Sequence, residues 1–88
     1  MHWTHLPTNL FFFRTLNGFS QLDLSIATGG EVSQAYISRL EQGWGQPNPA
    51  FVAALAKALN IDVSMLTKPP RVVSAPKHAR AVVLRGRR

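Results

Sequence analysis

The chain has 88 residues, 45% of them hydrophobic and 16% charged, with no cysteine; this describes one small globular domain held by packing rather than by disulfides or thiolate–metal bonds. Ten Lys and Arg against four Asp and Glu leave a formal charge of +6, which points to an anionic partner such as nucleic acid. The apolar runs Leu10–Phe13 and Ala50–Ala56 fall far short of the roughly 20 residues that cross a bilayer, and Met1–Pro7 lacks the basic and apolar stretches of a secretion signal, so a cytoplasmic protein without membrane contact is expected.

The charge is unevenly placed. Up to Thr67, Arg14, Arg39 and Lys57 stand against Asp23, Glu31, Glu41 and Asp62, a net of −1; from Lys68 onward, Lys68, Arg71, Lys77, Arg80, Arg85, Arg87 and Arg88 meet no acid, a net of +7. Electrostatic attraction to a polyanion therefore belongs to the tail, and the body must contribute geometry and polar contacts.

Taken in order, residues 1–7 read as an N-terminal arm. Thr8 is the expected N-cap of a first helix, with Leu10, Phe13, Arg14 and Asn17 at helical spacing and Gly18 as its stop. Ser20 caps a second, two-turn segment, Gln21–Thr28, in which Leu22, Ile26 and Ala27 offer apolar positions before Gly29-Gly30. Ser33 is the next N-cap, opening a third helix at about 34–42 with Tyr36, Ile37 and Leu40 at helical spacing, ended by Gly43. After the loop G-W-G-Q-P-N, Asn48-Pro49 begins a fourth helix carrying Phe51, Val52, Leu55 and Leu59, with Asn60 as its stop. Asp62 caps a last short turn, V-S-M-L-T, closed by Pro69-Pro70. Five helices over residues 8–67 with short connections predict compact all-α packing. In the basic tail, 68–88, the β-branched runs Arg71–Ser74 and Arg80–Arg85 leave two alternatives, a β-strand or hairpin and a flexible basic extension.

Two helices joined through a glycine-containing turn, the second opening with short polar residues, have the arrangement of a helix-turn-helix. A helix fits the major groove, and a glutamine amide can donate to and accept from one base edge at once. Gln34 lies at the start of the third helix, with Ala35 and Ser38 on a compatible face. At the start of the second, Gln21 is placed to bond a phosphate.

The runs F-S-Q-L-D-L-S-I-A, V-S-Q-A-Y-I-S-R-L-E-Q-G and N-P-A-F-V-A-A-L-A-K-A-L-N-I together resemble the lambda-repressor-like, XRE/Cro-type helix-turn-helix family from about Thr8 to Thr67. The resemblance implies a five-helix DNA-binding domain acting as a homodimer on double-stranded operator DNA. It places the residue matching Gln21 on phosphate, those matching Gln34, Ala35 and Ser38 at bases, and the loop matching Gly43–Gln46 along the backbone. It also implies an ion pair between Arg14 and Glu41, which makes Arg14 structural. The expected DNA-binding set is Gln21, Ser33, Gln34, Ala35, Ser38, Arg39, Trp44 and Gln46, with Arg85, Arg87 and Arg88 in the tail. Trp44 has two open alternatives: stacking near the sugar-phosphate backbone, or folding back onto the fourth helix.

The chain departs from the family's pattern in two respects. The T-G-G-E-V turn is about two residues longer than usual, with Ser25 where a small alanine is typical, so the third helix is expected at an altered angle. Phe11 and Phe12 stand where exposed polar residues are usual and need a cover, supplied by Trp3 and Leu6, by Val82–Leu84 or by a second subunit. His2, His5 and His78 lack partners at ligand spacing, and no serine has a His/Asp arrangement, so no metal, cofactor or catalysis is expected. The expected function is a sequence-specific, DNA-binding transcriptional regulator, in particular a repressor, of cytoplasmic, nucleoid-associated location. The alternative is a protein-interaction module, such as an antitoxin or accessory factor with weak or nonspecific DNA binding, that engages its partner through Phe11 and Phe12.

Overall fold

A computed structural model describes residues 3–70. Five helices follow one another: α1 (Leu6–Leu16), α2 (Gln21–Ala27), α3 (Gln34–Glu41), α4 (Pro49–Ala58) and α5 (Val63–Thr67); among the described residues there is no strand. The tail's proposed strand or hairpin, the expected contacts of Arg85, Arg87 and Arg88, and the cover by Val82–Leu84 lie outside the described residues.

Local chemistry accounts for most boundaries. Ser20, Ser33, Asn48 and Asp62 each have extended backbone and accept, through the side chain, a backbone N–H of the following helix. Ser20 and Asp23 form a reciprocal capping box. Asn60 adopts φ 59°, and the N–H of Ile61 returns to the Ala56 carbonyl, so α4 ends in a Schellman turn with asparagine in the left-handed position.

α1 corrects one expectation. It begins at Leu6, not after Thr8, and its N-cap, His5, makes no side-chain cap bond. Pro7 sits in the first turn, where a missing N–H costs nothing, and Leu6 is buried in the core. Leu6 is therefore a core residue rather than a cover for Phe11 and Phe12, which stay 53% and 52% exposed.

The core comprises Leu6, Leu10, Leu24, Val32, Ile37, Leu40, Val52, Leu55, Ala56, Leu59 and Leu66. α1 packs on α3 and α5, α2 on α3 and α4, and α4 on α5. In α2 the core residue is Leu24, beside buried Ser25, whereas Leu22, Ile26 and Ala27 are exposed; the expectation that these three supply the apolar side of this helix is overturned. Buried Asn9 donates from Nδ2 to the carbonyls of Leu66 (3.0 Å) and Lys68 (2.7 Å), fastening the end of α5 to the start of α1 and satisfying carbonyls that a helix end leaves open.

Candidate nucleic-acid interface

Helical geometry and the core divide α3 into two faces. Ile37 and Leu40 are buried, with Tyr36 half-buried beside them. On the opposite arc Gln34, Ala35 and Arg39 are exposed, with Ser38 partly so. Gln42, the C-cap, lies four residues beyond Ser38 on this same arc and donates from Nε2 to Ser38 Oγ at 2.9 Å. It belongs with the exposed polar face although it was not in the expected set; its i+4 spacing from Ser38 was the available signal. Ser33 is exposed, and its hydroxyl accepts from the Tyr36 N–H at 3.1 Å, so its oxygen is engaged as a cap.

α3 is held by α1 and α2 through one polar cluster. Arg14 Nε donates to Glu41 Oε2 at 2.6 Å and Nη2 to Oε1 at 2.9 Å, while Nη1 donates to the Phe19 carbonyl at 2.8 Å. The two side chains are 11% and 7% exposed. The carboxylate of Glu41, hydrogen-bonded to the guanidinium, holds Arg14 above its ordinary value in spite of burial, which acts the other way. Gln21 Nε2 adds a third donor to this carboxylate, at 3.1 Å from Oε1. The residue expected to grip phosphate thus starts from a bond to the ion pair. Phe11 also has a local partner, since the Arg14 guanidinium carbon stands 5.3 Å from its ring centroid.

The loop after α3 leaves by a left-handed glycine. Gly43 has φ 79°, and an added Cβ would meet nothing nearer than Pro7 Cγ at 3.9 Å, so the backbone conformation rather than lack of room calls for glycine. The next residue, Trp44, donates its N–H to the Arg39 carbonyl at 2.9 Å and leaves its side chain 61% exposed. Its indole lines a cleft of about 250 Å³ with Trp3, Pro7, Leu40 and Gln46. That cleft lies against the start of α1, and none of its lining residues belongs to α4. Farther along, Asn48 donates its N–H to Tyr36 Oη at 2.7 Å, and the Tyr36 ring meets Phe51 edge to face. This tie between α3 and the loop was not foreseen, because tyrosine at helical spacing reads simply as core.

The family model described as helix-turn-helix matches residues 12–66, more than half of the chain. The chain belongs to the lambda-repressor-like, XRE-type helix-turn-helix family. Searches of curated proteins and of solved structures give no match. In this helix-turn-helix domain α2 and α3 are the two helices of the motif, and the family is one of DNA-binding transcription regulators rather than enzymes. Among the described residues no helix is long and apolar enough to cross a membrane.

The altered turn between the motif's helices is closed by side chains. The Ser25 hydroxyl donates to the Val32 carbonyl at 2.7 Å, Thr28 Oγ1 donates to the Ser25 carbonyl at 2.6 Å, and the Val32 N–H donates to Thr28 Oγ1 at 3.1 Å. The T-G-G-E-V turn and Ser25 are thus parts of one hydrogen-bonded arrangement.

Proposed function

We propose that this chain is a sequence-specific transcriptional repressor that binds operator DNA as a homodimer, with α3 in the major groove. The observation that carries the reading is the outward polar face of α3, Gln34, Ala35, Ser38, Arg39 and Gln42, on a helix whose other side is anchored in the core. Gln34 at the helix start has the bidentate amide that reads a base edge, and Arg39, five residues later on the same exposed arc, brings the cation suited to guanine. In this reading Gln21, Ser33, Trp44 and Gln46 serve the sugar-phosphate backbone. Arg85, Arg87 and Arg88 add sequence-independent attraction, which the body lacks because its few bases are matched by its acids. The site of action is the nucleoid in the cytoplasm.

Selection from random duplex DNA tests the reading. Enrichment of an inverted repeat, with two chains per duplex by sedimentation, is the expected result. Salt-sensitive binding without any enriched site would instead favour the protein-interaction module, for which the exposed Phe11 and Phe12 of α1 offer apolar surface.

A further inference from the structure

We infer that Ser25 and Thr28 are positioning residues for the recognition face: they clamp the lengthened turn at Val32 and thereby set the angle at which α3 leaves α2. The inference rests on the DNA-binding reading above for its consequence, and on the geometry of the turn for its premise.

Two consecutive glycines, Gly29 and Gly30, occupy the turn with φ 74° and 83°. Glycine pairs lose more backbone freedom on ordering than any other residues, so a lengthened joint of this composition would leave α3 loosely aimed unless something else held it. What holds it is Val32. Its side chain is fully buried in the core, its carbonyl accepts from Ser25 Oγ, and its N–H donates to Thr28 Oγ1. Thr28 is itself fixed by donating to the Ser25 carbonyl. Both backbone polar groups of Val32 are therefore tied to α2, and the next residue, Ser33, is the N-cap of α3. Alanine at position 25 would leave the Val32 carbonyl without this donor; serine is the residue that suits a turn of this length.

The effect on binding is selective. A bidentate bond to a base edge tolerates little angular error, whereas charge attraction to phosphates tolerates much more. Loosening the clamp should lower discrimination between sequences more than it lowers binding to DNA in general.

The test uses the full chain and three variants: Ser25→Ala, Thr28→Val, which removes the hydroxyl at near-constant shape, and Thr28→Ser, which retains it. Two quantities are measured: hydrogen exchange of the Val32 amide in the free protein, and the ratio of affinities for a selected duplex and a scrambled one at the same salt. Ser25→Ala and Thr28→Val should speed Val32 exchange and lower the ratio by about tenfold, with scrambled-duplex affinity changed by less than about twofold. Thr28→Ser should keep both near the parent values. Faster exchange with an unchanged ratio would overturn the positioning role, and unchanged exchange would overturn the clamp. A parent chain without sequence preference would overturn the DNA reading and the claim for readout, while faster Val32 exchange in Thr28→Val would still uphold the clamp.

Discussion

Glu41 accepts from three donors on two other helices, Arg14 Nε and Nη2 of α1 and Gln21 Nε2 of α2. Removing one partner of such a shielded pair strands the other, so Arg14→Ala or Glu41→Ala should each cost about 3–5 kcal/mol in urea unfolding. An Arg14→Met/Glu41→Leu double variant should recover much of the loss, because a shielded pair fixes geometry more than it adds stability. On the exposed side of α3, Gln34→Ala should cost about 1–3 kcal/mol at one base-pair position and little elsewhere, measured against duplexes mutated one position at a time; an equal loss on all duplexes would put Gln34 on the backbone. The ion pair was legible only through the family resemblance, since nothing in the spacing of positions 14 and 41 joins them. The Gln21 bond was not legible at all, because a glutamine at a helix start is equally consistent with a solvated side chain or a phosphate contact. In α2, Leu22 and Ile26 matched helical spacing as well as Leu24 did, and a two-turn helix has too few positions for periodicity to choose the inward face.

Among the elements, four of the five helix starts were legible because a cap is a local rule: Ser20, Ser33, Asn48 and Asp62 each bond a backbone N–H within three residues. The start of α1 was not, because His5 makes no such bond and the helix is held instead by Leu6 in the core. Two caps carry a pH dependence. Backbone and hydroxyl donors of Ser20 lower the Asp23 carboxyl below its ordinary 3.8, and the Ser64 hydroxyl and backbone N–H do the same for Asp62. A carboxyl lowered in the folded state stabilises fully above its unfolded value, and this contribution disappears as pH falls through the folded value. The melting temperature should therefore decline below about pH 4, and an Asp23→Asn/Asp62→Asn variant, which keeps an acceptor oxygen at each cap, should show a flatter acid limb. Equal acid limbs in parent and variant would remove the caps from the explanation. Tyr36→Phe isolates the tie to the loop before α4: ring packing on Phe51 should persist, while exchange of the Asn48 amide, now without the Tyr36 oxygen, should quicken.

At the level of the whole molecule, the distribution of charge governs approach to DNA. Residues 3–70 carry Arg14, Arg39, Lys57 and Lys68 against Asp23, Glu31, Glu41 and Asp62, which balance, so the whole excess of positive charge lies beyond Pro70. Truncation after Pro70 spares the Asn9 bonds to Leu66 and Lys68, so the fastening of α5 to α1 should persist. The truncated chain should bind with a shallower dependence of log affinity on log salt, by about 0.9 for each lost phosphate contact, at unchanged site preference. An identical slope would show that the tail meets no phosphate.

The bond from Gln21 to Glu41 has a thermodynamic corollary. If the Gln21 amide turns outward to a phosphate, it does so by exchange, surrendering an existing acceptor rather than shedding only water, and the carboxylate it leaves keeps both arms of Arg14. The net affinity from that contact should accordingly be small, and its chief yield is selectivity for the docked orientation, since only a phosphate in the right place can outcompete a neighbour 3.1 Å away.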